Sequence, residues 1–248
     1  MEFIGGINPV LEAIKRKDSR IQKIYLVRNR DDQAVQRIRS LAHQNHIPIT
    51  VKDKSDLDRM AGGGLHQGVL ALVNPVRFLE LEELFKVEHL STGKALLLLL
   101  DHVVDPQNVG ALIRSAEAAG VHGVVMERWR SSPVNLTVVR ASAGAVEHVP
   151  LVQVSNLVRA AEIFKDHGFW IMGADSSAEK NLYEMNFRVN TALVIGSEGK
   201  GLRPLIKRTC DFLFHIPMYG KIGSLNTSAA GAVALYEAVR QRTTGSFG

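Results

Sequence analysis

The sequence predicts an α/β protein: a small N-terminal α/β unit, then a larger, mostly parallel sheet with helices on both faces. Three observations carry this. Short apolar runs alternate with amphipathic helical stretches along the whole chain. Turn formers such as Gly62-Gly63-Gly64, Asn74-Pro75 and Gly120 punctuate the alternation. The longest apolar run, Ala95–Leu100, has the composition of a strand covered on both sides.

In the first unit, Lys23–Val27 reads as a strand. Residues 33–45 follow as an amphipathic helix with Val35, Ile38, Leu41 and Ala42 on one face. Ile47–Val51 is a second strand, Ser55 caps a helix that stops at the three glycines, and Gly68–Val73 is a third strand. Residues 76–93 are richer in charge and hold a short helix within 81–90. The domains are therefore drawn as 1–73, a linker at 74–93, and 94–248. From Ala95 onward, strands are expected at 95–101, 123–126, 149–154, 169–173, 192–196 and 212–216. Helices are expected at 106–119, 155–167, 202–209 and 226–242.

With 46% hydrophobic and 22% charged residues among 248, the chain has ample material for a core and is not of the disordered class. No apolar run approaches the ~20 residues of a membrane span, and the N-terminus lacks the pattern of a secretory signal. Cys210 is the single cysteine, so no intrachain disulfide forms; a cytoplasmic location is expected. Lys and Arg number 30 against 25 Asp and Glu, giving a net charge of +5. The excess gathers at Lys15, Arg16, Lys17, Arg20 and Lys23, and again where Arg128 and Arg130 flank Trp129. Such clusters suit a polyanion or an ordinary solvated face equally well.

Ligands of parallel sheets bind beyond the carboxyl ends of the strands. Three loops there have unusual composition. In "DPQNVGALIRSAEAAG", Asp105 is a helix cap, Pro106 takes the first helical position, and Val109, Leu112, Ile113 and Ala116 form the core stripe. Gly110, Arg114 and Glu117 share another face, either as a ligand surface or as a packing glycine beside a surface ion pair. "IGSEGKGL" resembles a phosphate loop but fits neither the Walker nor the dinucleotide pattern, and Glu198 would repel a phosphate. In "GSLNTSAAGAVA", Asn226 caps a helix whose first turns carry only small residues, with Ser224 just before it. No histidine or cysteine spacing fits a metal site. Asp101 and Asp105 serve either as an acid–base pair or as a strand end and a cap.

Taken together, "DPQNVGALIRSAEAAGV", "LVIGSEGKGL" and "IPMYGKIGSLNTSAAGAVALYEA" resemble, in order and spacing, the motifs of the SpoU branch of the SPOUT methyltransferase superfamily. The first 73 residues, with "GINPVLEAI" and "LHQGVLALV", resemble that family's N-terminal substrate-binding domain. The chain is most similar to the subgroup that methylates a guanosine 2′-hydroxyl in bacterial 23S ribosomal RNA. The resemblance implies a deep trefoil knot in the C-terminal domain, which periodicity cannot reveal, and a homodimer. It implies S-adenosylmethionine bound by Gly196, Ile216, Met218 and Leu225, with Asn108, Arg114, Glu198, Ser224 and Asn226 around the reacting groups and no metal. Thr227 and Gly223 depart from the family's usual valine and serine.

The resemblance gives Arg114, in its own subunit or the partner's, the task of activating the hydroxyl. A guanidinium is a poor base, so clamping a phosphate and stabilising a developing alkoxide is an equal role. A 2′-hydroxyl substrate means RNA, read at an unpaired nucleotide, with the N-terminal domain as reader. A transfer-RNA methyltransferase and a non-catalytic RNA-binding assembly factor are the alternatives.

Overall fold

The computed structural model describes residues 2–15, 20–86, 94–129 and 131–243. The chain divides into two compact units. One comprises residues 1–77 with 134–148, the other 78–133 with 149–248.

The first unit carries a four-stranded mixed sheet in the order β1-β4-β2-β3. Its strands are β1 (Glu2–Gly5), β2 (Ile21–Val27), β3 (Ile49–Lys52) and β4 (Val69–Val73). Its helices are α1 (Ile7–Lys15), α2 (Gln33–Gln44) and α3 (Lys54–Met60). Asp32 caps α2 by accepting from the amides of Ala34 and Val35, and Val35, Ile38 and Ala42 are buried as the spacing predicts. α3 begins one residue before Ser55, with Asp53 at the cap position, so Ser55 is not the cap. β1 and α1 escape the sequence reading. β1 is a four-residue edge strand, and α1 follows directly on Gly6 and carries Pro9 in its first turn, which disguises the helical period.

Residues 134–148 lie inside the range expected for the second domain, yet they pack with the first unit. They form α6 (Leu136–Ala141) and a 3-10 turn at Ala145–Glu147, after α4 (Leu81–Leu84) and α5 (Pro106–Ala118) of the other unit. Arg20 pairs with Glu147 at 2.7 Å, and His148 lies 3.0 Å from Glu12. Gly144, at φ 91°, packs against Pro9 and Glu12. Deleting residues 1–73 would therefore strip these partners from a segment left behind, and point substitutions are the cleaner probe of the first unit.

The second unit is a six-stranded sheet in the order β10-β8-β9-β5-β6-β7, every pair parallel. The strands are β5 (Leu96–Asp101), β6 (Gly123–Glu127), β7 (Leu151–Val154), β8 (Trp170–Ala174), β9 (Thr191–Gly196) and β10 (Phe212–Phe214). All residues of β5, β6 and β9 are buried, as strands covered on both faces must be. The covering helices are α5, α7 (Leu157–Asp166), α8 (Pro204–Thr209) and α9 (Thr227–Thr243). Of the stretch expected as linker, residues 74–77 belong to the first unit and 78–86 to this one. Leu79 bridges to Val152, and Leu84 packs so tightly on Gly123 that a Cβ there would lie 2.7 Å from its Cδ1. Residues 87–93, the rest of the expected linker and of its helix, lie outside the described residues.

α5 forms as its sequence requires. Asp105 accepts from the amides of Gln107 and Asn108, the predicted stripe is fully buried, and Gly120 ends the helix at φ 65°. α9 runs against α5, and the small residues of its first turns allow this. A Cβ on Gly231 would stand 2.2 Å from Leu112 Cδ2.

Candidate active site

The parallel strands place the carboxyl ends of β8, β9 and β10 on one rim, where a cavity of about 930 Å³ opens. Gly196 ends β9 opposite Asp101, the last residue of β5. The chain then closes a tight turn. Ser197 N donates to Gly201 O at 3.1 Å and Gly201 N to Ser197 O at 3.0 Å, with Gly199 and Gly201 both at positive φ. Those two amides are spent on the turn itself, and the Glu198 carboxylate within the turn disfavours a phosphate there. At Gly196 the turn folds back so closely that a Cβ would lie 2.3 Å from Gly201 C. Only glycine fits there.

Asn108 joins the three loops. Its Nδ2 donates to Glu198 Oε2 at 3.1 Å, and its Oδ1 accepts from Asn226 Nδ2 at 2.9 Å. Asn226 Oδ1 in turn accepts from the amide and hydroxyl of Ser228 at 2.9 and 2.6 Å, capping α9. The amide of Asn108 is buried with both ends satisfied, so its orientation is fixed by the network. Glu198, Asn108 and Asn226 come from residues separated by 90 and 118 positions.

Seven of the nine residues expected around the ligand line the cavity: Gly196, Glu198, Ile216, Met218, Ser224, Leu225 and Asn226. Asn108 stands behind it and reaches it through its two partners. Arg114 is the exception. It is exposed on the outer face of α5, does not line the cavity, and makes no hydrogen bond or ion pair among the described residues. Glu117 is exposed beside it without forming the surface pair considered above, and Gly110 is buried rather than open to a ligand.

Sequence reasoning missed Asp175 and Lys207. Both line the cavity and form an ion pair, and Ser177 Oγ donates to Asp175 Oδ1 at 2.6 Å. Burial acts to raise the Asp175 carboxyl, but Lys207 and Ser177 outweigh it, so its pKa is lowered and it stands in the cavity wall as a carboxylate paired with the Lys207 ammonium. The signal available was position alone, since "ADSS" follows directly on the expected strand 169–173.

Asp101 and Asp105 do not form an acid–base pair. Asp105 caps α5, whereas Asp101, with a side chain 0% exposed, accepts from the backbone N of Arg203 at 2.7 Å and pairs with its guanidinium. Glu127 holds the same guanidinium at 3.0 Å. Burial pulls the Arg203 pKa down, but the two carboxylates more than offset it and raise it. Asp101→Ala is expected to cost about 3–5 kcal/mol, the range for stripping a partner from a buried ion pair. Urea unfolding checks this, and a loss below about 1 kcal/mol would contradict it. Cys210 has no catalytic character: burial pushes its thiol up to about 12.

Comparison with known proteins places this architecture. The model of the SpoU rRNA Methylase family matches residues 95–236, all three loops included. The chain belongs to the SpoU methylase family. The model of RNA 2'-O ribose methyltransferase substrate binding matches residues 3–79 of the same SpoU methylase. It is 40% identical over 242 residues to the 23S rRNA (guanosine-2'-O-)-methyltransferase RlmB of Pseudomonas aeruginosa, covering 98% of this chain and 97% of that one. The RlmB of Escherichia coli K12 is 37% identical, with 98% and 99% covered. Among solved structures, the SpoU methyltransferase AviRb of Streptomyces viridochromogenes in complex with the cofactor AdoMet aligns with TM-score 0.81 and 25% identity. It covers 98% of this chain and 91% of that one. The A. aeolicus TrmH/SpoU tRNA modifying enzyme, TM-score 0.56 and 32% identical, covers 66% of this chain and 83% of its own.

Proposed function

We propose that this SpoU methylase transfers the methyl group of S-adenosylmethionine to the 2′-hydroxyl of a guanosine in 23S ribosomal RNA. It acts as a cytoplasmic homodimer whose catalytic unit is tied in a deep trefoil knot. The observation that carries the reading is the Glu198–Asn108–Asn226 network at the rim of the cavity, in a chain that matches 23S rRNA guanosine methyltransferases over nearly its whole length.

The residues present fit the cofactor. The cavity is of a size usual for ligands of this class, about 300–1,000 Å³. Its walls combine apolar groups (Ile216, Met218, Leu225) with the Glu198 carboxylate and the Asp175–Lys207 ion pair, which suits a ligand carrying charged groups on an apolar body. Gly196, Ile216, Met218 and Leu225 would hold it. Bound there, it supplies a methyl group already activated by the positive charge of its sulfonium. The protein's own task is positioning and handling the hydroxyl proton. Asn108 locks the carboxylate of Glu198 and the amide of Asn226 in place, leaving Ser224 exposed beside them for the ribose. Arg114 would stabilise charge developing on the 2′-oxygen and steady the adjacent phosphate.

The outward placement of Arg114 supports the homodimer. Its guanidinium lies outside its own protomer's cavity and would act on the ribose held by the partner. Support for the knot comes from the chain path after β9. β9 lies between β5 and β8, the chain turns back at Ser197–Gly201, and α9 returns to pack on α5, the first helix after β5. The first unit is the RNA reader in this scheme. The ribosomal target is favoured over transfer RNA because relatives named for 23S rRNA align with 98% of the chain, whereas the tRNA modifying enzyme aligns with 66% of it.

The test is to incubate the protein with labelled S-adenosylmethionine and unmodified 23S or transfer RNA. Label is expected on 23S RNA, at a guanosine whose 3′ linkage becomes resistant to alkali. Transfer to transfer RNA alone, or to a base, would overturn the proposal.

A further inference from the structure

The carboxyl rim of the sheet has a second feature. Two strands along from β9, past β5, a cavity of about 650 Å³ opens beyond β6 and β7. Its walls are Trp129, Val158, Pro204 and Leu205, and Glu127 and Asn156 also line it. Trp129 is 83% exposed and Leu205 58% exposed, a pairing that a soluble surface normally avoids. Arg128, directly before the tryptophan, is exposed and makes no ion pair among the described residues. It lines an adjoining cavity of about 350 Å³ that shares Ser155 and Asn156 with the first. One short segment joins this groove to the reaction cavity: Gly201 lines the one, and Arg203 with Leu205 lines the other. Arg203 is pinned by Asp101 and Glu127, so the two cavities hold a fixed spacing.

We propose that this groove takes an unpaired base of the substrate RNA, a few nucleotides from the methylated one. The base stacks on the Trp129 indole with a phosphate beside Arg128. The inference rests on the RNA-methyltransferase reading above. Stacking on an exposed aromatic next to a cation is how proteins hold single-stranded nucleic acid without reading its sequence. The position fits as well. From β9 to β6 is two strand spacings, ~10 Å at ~4.8 Å each, a span that a few nucleotides cover. A protein partner would bury the same apolar walls but would need neither Arg128 nor proximity to the reaction cavity.

Fluorescence tests this directly, because the chain has 2 tryptophans. Trp170, the first residue of β8, lies on the opposite rim and packs on Phe212, so Trp170→Phe leaves Trp129 as the sole reporter. A short single-stranded oligoribonucleotide with a central guanosine is expected to quench its emission. In parallel, Trp129→Ala should raise KM for 23S RNA about tenfold with kcat held within about twofold, and Trp129→Phe should keep most of the affinity. Unchanged S-adenosylmethionine binding by both variants reports an intact fold. Unquenched Trp129 emission, or a wild-type KM in Trp129→Ala, overturns the proposal, as does quenching by an apolar peptide but not by RNA. The underlying reading fails separately: quenching by RNA in a protein that transfers no methyl group would sink the function and leave the groove standing.

Discussion

Replacing Arg114 by alanine is expected to leave S-adenosylmethionine binding within about twofold of wild type while cutting turnover about 10²–10³-fold. The two readouts separate because of where the residue sits. Arg114 is exposed on α5, has no hydrogen bond or ion pair among the described residues and lines no part of its own cavity. Alanine is a good helix former, so the fold should lose little, within about 0.5 kcal/mol. What is removed is a cation that can meet the charge developing on the 2′-oxygen and the phosphate next to it. Calorimetry for the cofactor and single-turnover methylation of 23S RNA measure the two quantities, and near-normal turnover would remove Arg114 from the mechanism.

If the proposed homodimer forms, the same experiment has a sharper version. A mixed dimer is made with Arg114→Ala in one subunit and a disabled cofactor site in the other. If Arg114 acts on the partner's ribose, one complete site remains and about half the activity returns. If it acts within its own subunit, neither site is complete.

Gly196→Ala is the second large effect, and it supplies the disabled cofactor site. The added Cβ would lie 2.3 Å from Gly201 C and 2.4 Å from Gly201 O, both backbone atoms. They cannot give way cheaply, because the Ser197–Gly201 hydrogen bonds close the turn and Leu202 behind it is buried. The turn must open, which carries Glu198 away from Asn108 and removes one wall of the cavity. S-adenosylmethionine affinity is expected to fall more than about 100-fold, alongside an overpacking cost of about 1–3 kcal/mol. Gly220→Ala is the control, since nothing lies within 4 Å of a Cβ there. Wild-type cofactor binding by Gly196→Ala would refute this account of the loop.

Much of the second unit was legible because its signals are local. The predicted strands at 95–101 and 192–196 became Leu96–Asp101 and Thr191–Gly196, and the predicted helix at 106–119 became Pro106–Ala118. Those assignments rest on apolar runs, an Asp-Pro start and a glycine stop, all of which act within a few residues. Cap chemistry was read correctly at Asp105 and Asn226 for the same reason, and misplaced at Ser55, where the helix starts one residue earlier and Asp53 holds the cap position.

The sequence by itself therefore determined the α/β alternation, the family and the three loops from which the cavity is built. The tertiary structure alone decided what those loops touch. It turned the apparent phosphate loop into a closed turn, gave Asp101 to Arg203, brought Asp175 and Lys207 into the cavity wall, and returned residues 134–148 to the first unit. Each of these is a long-range contact between groups whose own neighbours carry no mark of it. Periodicity and capping are written within a turn of helix or a pair of strand residues. Which loops meet on the rim is set by the order in which the strands pair, and that order is fixed only once the whole sheet has formed.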